Sequence, residues 1–250
     1  MVITSLDNEK VKGLVKLQKR KYRDLTNTFI VEGMHLVLEA YKENIAIELI
    51  VLEDEVIPIK LPYTYVSLEV MKKISTMDTP PTIMAVCKKN NNNEIIGSRI
   101  LLLDEVQDPG NLGTIIRSAV AFNIDTIILS ENTVDLYNPK VLRATQGMFA
   151  HINIISMNAD VAINYLKSKN IVVYGTNVEY GIDVRNLDSS SKKAFCLIMG
   201  NEGNGVRQSI QKMCDKNLYI NMNSQVESLN VAIACSILLY ELGRPKYARH

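Results

Sequence analysis

The sequence predicts an α/β protein with two domains: a small N-terminal α/β domain, and a larger C-terminal domain with a mainly parallel sheet and helices on both faces. Six near-continuous apolar runs after residue 99, separated mostly by helical patterns, predict the parallel sheet. Strands that are apolar on both faces must be covered on both sides, and helices supply that cover. Four consecutive asparagines, residues 90–93, interrupt the apolar periodicity. We therefore interpret residues 91–98 as a linker between domains 1–90 and 99–250.

The individual elements follow from short apolar runs and from helical spacing. In the N-terminal domain the predicted strands are Thr28–Val31, Ile47–Leu52, Tyr63–Val66 and Ile83–Cys87, and the predicted helices are Gly33–Asn44 and Leu68–Ser75. In the C-terminal domain the predicted strands are Ile100–Leu103, Thr126–Leu129, Ile152–Ile155, Ile171–Tyr174, Phe195–Met199 and Leu218–Ile220.

Composition excludes several classes of protein. Lys and Arg number 28 against 27 acidic residues, so nucleic-acid affinity must come from local clusters of charge. The four cysteines are far apart and the histidines lack metal-ligand spacing, which predicts no metal site and a reducing, cytoplasmic compartment. A polar N-terminus predicts no secretory signal. The longest apolar stretch, Leu229–Leu242, is shorter than the roughly 20 residues of a membrane span.

The N-terminal stretch Lys10–Arg23 is strongly basic. It carries seven cations and no acidic residue in fourteen positions. A solvated helix face beside the apolar Leu14 and Leu17 is one interpretation. Such density without compensating acids is also what binding to a phosphate backbone needs. We therefore predict that RNA is bound by Lys19, Arg20, Lys21 and Arg23.

The first segment with residues suited to chemistry is DEVQDPGNLGTIIRSA, Asp104–Ala119, directly after a predicted strand. In open α/β sheets, ligands bind beyond the carboxyl ends of strands. Pro109 and Gly110 predict a turn, and Asn111 is a candidate helix N-cap. Arg117 lies six positions further on, where its planar guanidinium could bind phosphate oxygens. A surface salt bridge is the structural alternative.

The second segment is LIMGNEGNGV, Leu197–Val206, in which a strand runs into three glycines. Glycine permits positive φ and a close approach of the backbone to a ligand. The spacing is neither that of a dinucleotide-binding fingerprint nor that of a P-loop. A tight connection between a strand and a helix would also explain the glycines, but Glu202 within the turn favours a functional site.

The third segment starts at Tyr219 and consists of a strand, a polar loop with VESLN, and a strongly apolar helix. Ser228 is a candidate cap for that helix, which would leave Asn230 as an amide at its buried start. Burying an amide without partners costs about 1–3 kcal/mol, so Asn230 is expected to have a specific hydrogen-bonding role. A helix cap with no ligand is the alternative. Ile233 and Ile237 are assigned to the core or to a subunit interface.

Together the three segments, in this order and at these separations, resemble the three motifs of the SpoU-type RNA 2′-O-ribose methyltransferases of the SPOUT class. The stretch RKYRDLTNTFIVEG, Arg20–Gly33, is similar to the substrate-binding domain often fused ahead of that catalytic domain. The resemblance implies a trefoil knot in the C-terminal domain, a rare exception to the rule that chains avoid knots. It also implies S-adenosylmethionine as cofactor, RNA (most simply 23S ribosomal RNA) as substrate, and a homodimer built on the knot helices.

The resemblance assigns roles to individual residues. Main-chain groups of the motif loops and of the loop after the strand at 171–174 would bind the cofactor; the expected cofactor-binding residues are Thr176, Asn177, Gly200, Asn201, Gly205, Ile220, Ser228 and Leu229. Arg117 and Asn111 would face the RNA, while Glu202 and Asn230 would hold the loops and the arginine. A guanidinium is normally a poor base. We therefore interpret Arg117 as orienting the target phosphate and hydroxyl, with proximity supplying much of the rate.

Two departures from the family pattern and three alternatives accompany this interpretation. The family commonly has proline at the position of Asn221 and glycine near that of Ser224. A non-catalytic RNA-binding or ribosome-assembly protein would keep the fold, and a transfer-RNA methyltransferase would keep the motifs. A nicotinamide enzyme of the Rossmann type fails on the glycine spacing and on the missing ribose-binding acid.

Overall fold

A computed structural model describes residues 2–178 and 180–243. Its strands, in chain order, are β1 (Val2–Ile3), β2 (Thr28–Glu32), β3 (Ala46–Leu52), β4 (Tyr63–Val66), β5 (Ile83–Lys88), β6 (Arg99–Leu103), β7 (Thr126–Leu129), β8 (Asn153–Ser156), β9 (Val172–Thr176), β10 (Ile182–Asp183), β11 (Phe195–Met199) and β12 (Lys216–Tyr219). Its α-helices are α1 (Glu9–Lys16), α2 (Arg20–Thr26), α3 (Met34–Lys42), α4 (Leu68–Ile74), α5 (Pro109–Ala121), α6 (Pro139–Thr145), α7 (Ala159–Ser168), α8 (Gln208–Gln211) and α9 (Val231–Gly243). Short 3₁₀ turns occupy Met148–Ala150 and Val184–Asn186.

The chain forms two compact units. One comprises the residues up to Asn91 together with Asp135–His151, and the other comprises Asn92–Val134 together with the residues from Ile152 onward. The first boundary lies within the asparagine run. The segment 135–151 differs from the sequence expectation, which placed it in the second domain. Its rings of Tyr137 and Phe149 lie 4.5 and 5.8 Å from that of Phe29, and this aromatic cluster accounts for its place in the first unit.

The first unit has a mixed five-stranded sheet in the order β1-β4-β3-β5-β2. Strand β5 runs antiparallel to both β2 and β3, whereas β4 is parallel to its neighbours. Asn8 caps α1, and the buried Val11 and Leu14 of this helix pack with Val70 and Met71 of α4. The amphipathic spacing of α1 therefore turns its charged residues outward and its apolar residues into the core.

The second unit has a parallel seven-stranded sheet in the order β10-β12-β9-β11-β6-β7-β8. Ile100 and Leu102 pack with Ala162 and Ile163 of α7 on one face of this sheet. Alternate residues of a strand point to opposite faces, and Leu101 is also fully buried, so both faces are covered. The predicted α/β class with a mainly parallel sheet is confirmed. The trefoil knot stays a prediction.

The order of strands in the second unit creates a switch point. The chain passes outward from β6 through β7 to β8, and then continues on the opposite side of β6 with β9, β11 and β12. Since these strands are parallel, the loops after β6, β9, β11 and β12 emerge at one edge. Ligands of open α/β sheets bind at such an edge.

Candidate active site

The three motif segments meet at the carboxyl edge of the parallel sheet. The first follows β6, the second follows β11, and the third follows β12. In between, Thr176 ends β9 and donates a hydrogen bond from its hydroxyl to the carbonyl of Ile198 on the adjacent strand (3.1 Å). The fold thus brings together segments that lie more than 100 residues apart in sequence.

A cavity of about 500 Å³ lies among these loops. The residues predicted from the resemblance to bind the cofactor all line it: Thr176, Asn177, Gly200, Asn201, Gly205, Ile220, Ser228 and Leu229. Met199, Leu218 and Leu238 contribute apolar walls. This volume is typical of a small-molecule site, and a mostly apolar wall with backbone polar groups is the usual composition of one.

The loop after β11, residues 200–206, is tightly closed. The amide of Asn201 donates to the carbonyl of Gly205 (3.0 Å), and that of Gly205 donates back (2.9 Å). A Cβ at Gly200 would lie 2.0 Å from the carbonyl carbon of Gly205, and Gly205 itself has a φ of +67°. Gly200 therefore requires glycine for space, whereas the positive φ at Gly205 favours glycine for conformation.

Glu202 connects this loop to the first motif. Its Oε1 accepts hydrogen bonds from the side-chain amide of Asn111 (3.0 Å) and from the backbone of Asp108 (3.0 Å), and its Oε2 accepts from the backbone of Gln107 (3.2 Å). Burial opposes ionisation of Glu202, but these hydrogen bonds outweigh it and lower its pKa. Glu202 is thus an ionised side chain that links two loops by hydrogen bonds.

The third motif joins the same network through Asn230. Its side-chain nitrogen donates to Oδ1 of Asn111 (2.9 Å), and its Oδ1 accepts from the backbone of Ala232 (2.9 Å) and Ile233 (3.3 Å) at the start of α9. The prediction that Ser228 caps this helix is therefore wrong, because Asn230 does so. The expected burial of Asn230 is wrong, because the residue is exposed, but its side-chain amide makes specific hydrogen bonds as predicted.

The capping of α5 also differs from the prediction. Asp108, not Asn111, is the N-cap: its carboxylate accepts from the backbone N–H of Asn111 (2.8 Å), and Pro109 opens the helix. The Asp108 carboxylate satisfies one free N–H group of the first turn and leaves the Asn111 side chain available for Glu202 and Asn230. Arg117 then lies about 9 Å further along the helix axis than Asn111.

Arg117 is exposed and, among the described residues, has no hydrogen-bond or ion-pair partner. The surface salt bridge considered as an alternative is absent from this part of the chain. Arg117 lies outside the set of cavity-lining residues. It is an exposed guanidinium on the helix that carries the first motif.

An ion pair that the sequence did not predict lies beside the second motif. The carboxylate of Asp104, fully buried at the end of β6, accepts two hydrogen bonds at Oδ1 from the guanidinium of Arg207 (2.9 and 2.6 Å). An acid directly after a buried strand was the available signal, but its partner lies 103 residues away.

The polar loop after β12 is where the chain departs from the family pattern. Asn223 organises it: its side-chain oxygen accepts from the backbone of Gln225 (2.9 Å), and its carbonyl accepts from Val226 (3.0 Å). Ser224 does not have a positive φ. The loop therefore closes without the conformational freedom of a glycine.

In the first unit the basic stretch divides into exposed and buried cations. Lys19, Arg20 and Lys21 are exposed. Arg23 is only 4% exposed, and its guanidinium donates to the carbonyls of Leu17 and Gln18 (both 2.8 Å) and pairs with Asp135. The prediction that Arg23 binds RNA is wrong, because its charge is used inside the first unit.

S-adenosylmethionine fits the chemistry of the cavity. Apolar walls suit an adenine ring, and the glycine loop and the chain around Ile220 and Leu229 bring backbone groups to the surface. Among residues 2–178 and 180–243, no group of three or more His, Cys, Asp or Glu side chains could hold a metal ion. Within the same ranges, no helix has the length and apolar character needed to span a membrane.

The fold and the site define a cofactor-dependent α/β enzyme whose active site is built from three motif loops. Residues 98–240 match the model of the SpoU rRNA Methylase family, and residues 8–85 match that of an MRM3-like substrate binding domain. The chain belongs to the SpoU family. The prediction of an S-adenosylmethionine-dependent RNA 2′-O-ribose methyltransferase is confirmed.

Individual relatives agree over nearly the whole chain. The chain is 40% identical over 245 residues to the 23S rRNA (guanosine(2553)-2′-O)-methyltransferase RlmP of Bacillus subtilis (strain 168), covering 96% of this chain and 98% of that protein. It is similar to the S-adenosylmethionine-bound rRNA methyltransferase from Sinorhizobium meliloti (29% identity, TM-score 0.87, 99% of both chains). It is also similar to a structure described as an RNA 2′-O ribose methyltransferase (27% identity, TM-score 0.83, 98% of both chains).

Proposed function

We propose that this enzyme methylates the 2′-hydroxyl of a guanosine in 23S ribosomal RNA. The observation that carries the proposal is the 40% identity to a 23S rRNA guanosine 2′-O-methyltransferase, which extends over 98% of that protein. The aligned region therefore includes the N-terminal unit as well as the three motifs. A transfer-RNA substrate is the alternative that the experiment below addresses.

Arg117 is proposed as the residue that orients the target nucleotide. Its side chain is exposed and has no partner among the described residues, which leaves its guanidinium N–H donors available for phosphate or ribose oxygens. Bound in the cavity, S-adenosylmethionine supplies an electrophilic methyl group. The task of Arg117 is then to hold the ribose hydroxyl in line for attack, and orientation of this kind can provide a large part of the rate.

Asn111, Glu202 and Asn230 are proposed to preorganise the site. Glu202 fixes Asn111, and Asn111 fixes Asn230 at the start of α9, so the three motif loops form one chain of hydrogen bonds. The exposed edge of Asn111 faces the target nucleotide in this proposal. Gly200, Ile220 and Leu229 would contact the cofactor through backbone groups.

Lys19, Arg20 and Lys21 are proposed to contact the phosphate backbone of the RNA. They follow one another at the start of α2 and are exposed, and the ion pair of Arg20 with Asp24 is long (3.6 Å). Exposed pairs of this kind are weak and are easily exchanged for phosphate. The matched domain model over residues 8–85 supports a role in substrate binding.

A homodimer through α9 is also proposed. Ile233, Ile237 and Tyr240 are 53, 37 and 50% exposed, and their spacing places them on one face of the helix. An apolar stripe on a well-packed helix is typical of a subunit interface. Light scattering of Ile237→Lys should show a lower mass than that of wild type.

Labelled methyl transfer tests the substrate. Purified enzyme and labelled S-adenosylmethionine are incubated with 23S RNA, or with total transfer RNA, from a strain lacking this protein. We expect label in 23S RNA, at one alkali-resistant position that is a guanosine. Label in transfer RNA alone would establish the alternative substrate, and binding of 23S RNA without label would indicate a non-catalytic RNA-binding protein.

A further inference from the structure

We propose that Arg207 is a positioning residue for the cofactor site, because its ion pair with the buried Asp104 fixes the loop 200–206 against the end of β6. This inference rests on the proposed placement of the cofactor beside Gly200 and Gly205. It concerns a residue outside the three motifs as the sequence defines them. Arg207 follows the loop directly and directly precedes the short helix α8.

Arg207 binds both oxygens of a carboxylate that is fully buried. Oδ1 of Asp104 accepts from Nε and one terminal nitrogen of Arg207, and Oδ2 accepts from the backbone N–H of Arg207 (3.0 Å). Arg207 is therefore held by side chain and main chain at once. Its other terminal nitrogen lies 3.5 Å from Oε1 of Glu105, which follows β6.

The loop is closed by the two hydrogen bonds between Asn201 and Gly205, and Glu202 joins it to the first motif. It is rich in glycine and exposed over residues 202–205, so it gains little from apolar packing. At its first end, the side chain of Asn201 donates a hydrogen bond to the carbonyl of Glu105, just after β6 (2.9 Å). The other end is held where Arg207 meets Asp104. Both ends of the loop are thus tied to the residues just after β6.

Displacement of this loop would affect the cavity and the motif network together. Gly200, Asn201 and Gly205 line the cavity, while Glu202 reaches from the same loop to Asn111. Removing the guanidinium would also leave a buried carboxylate without its partner. Movement or hydration of the loop would lower the free-energy cost of that unpaired charge. We therefore expect loss of cofactor affinity, and not only loss of stability.

The chain offers a matched control for this experiment. Arg185 pairs with the buried Asp183 in the same second unit through two nitrogens, with Nε 3.0 and 3.2 Å from the two carboxylate oxygens. Neither residue lines the cavity. Arg185→Ala therefore removes the same chemistry at a place where it should not affect the cofactor.

Calorimetric binding of S-adenosylmethionine and hydrogen exchange of residues 200–206 in the cofactor-free protein test the proposal. For Arg207→Ala we expect Kd to rise by about 10–100-fold and exchange in the loop to accelerate. Arg207→Lys, which keeps the charge but not the paired donors, should be intermediate. Arg185→Ala should leave Kd within about two-fold of wild type and leave loop exchange unchanged.

Three results would overturn the proposal: wild-type affinity in Arg207→Ala, unchanged exchange in its loop, or an equal loss of affinity in Arg185→Ala at a similar Tm. If Arg207→Ala does not fold, Arg207→Lys decides, since unchanged affinity and exchange in that variant contradict the proposal. None of these measurements contains RNA. A failure of the ribosomal RNA assignment would therefore be visible separately, as absence of label in 23S RNA.

Discussion

Helices α2 and α5 each carry an arginine that was predicted to bind RNA, and the two arginines differ in burial and in their partners. Arg23 of α2 is buried and bound by two carbonyls and a carboxylate. Arg117 of α5 is exposed and has no protein partner in the part of the chain that the structure describes. Charge density predicted the first and motif context the second. A run of cations in a sequence does not indicate which of them is buried. The position of a cation relative to a strand end and to ordered motifs does indicate where it lies in the fold.

Replacing Arg117 by Ala should give the largest effect. We expect kcat for methyl transfer to fall by about 10²–10⁴-fold, because the target hydroxyl is no longer oriented. Cofactor affinity and Tm should remain near wild type, since the side chain lies outside the cavity lining. Steady-state labelling and calorimetry measure the two quantities. Arg117→Lys should recover only part of the activity, and full turnover in Arg117→Ala would show that the residue has no catalytic part.

Replacing Arg23 by Ala should lower the stability of the protein, in contrast to the loss of activity expected for Arg117→Ala. Breaking a buried ion pair costs about 3–5 kcal/mol of stability because the remaining partners are left uncompensated. Asp135, with a side chain 16% exposed, is the partner that would be left. Denaturant unfolding measures the loss. Arg20→Ala, three positions away on the surface, should cost less than about 1 kcal/mol. Equal stability of the two variants would contradict the assignment of Arg23 to the core.

Local patterns in the sequence predicted much of the fold, and contacts between distant segments account for what was missed. Strands Phe195–Met199 and Thr126–Leu129 were predicted to the residue, because runs buried on both faces are unmistakably apolar. The two-residue strands β1 and β10 have no such run. The partner of Arg23 lies 112 residues away and that of Arg207 lies 103 away, distances over which a single sequence contains no pairing signal.

The exposed cations of α2 should show a moderate effect on RNA binding alone. For Lys19→Ala combined with Lys21→Ala, we expect the Kd for 23S RNA fragments to rise by several-fold to about ten-fold and its salt dependence to become shallower, since fewer counterions are released. Filter binding across a salt series measures both. The stability of this variant should be unchanged because both side chains are exposed. A purely structural role for the whole basic stretch predicts an unaltered salt slope.

The smallest expected effect is the pH dependence of the stability that Glu202 provides by linking two loops. Hydrogen bonds from Asn111, Asp108 and Gln107 outweigh its burial and hold the pKa of this carboxyl below its ordinary value of 4.5. A lowered carboxyl pKa stabilises the folded state above about pH 4.5, and that contribution is lost as pH falls through the folded pKa. The Tm difference between wild type and Glu202→Gln should therefore shrink as the pH is lowered from about 7 to below about 4. Scanning calorimetry of both proteins measures this difference, in which the titration of all other acids cancels. A difference that stays constant with pH would mean that the ionised carboxylate does not hold the two loops together, and that an amide serves equally well.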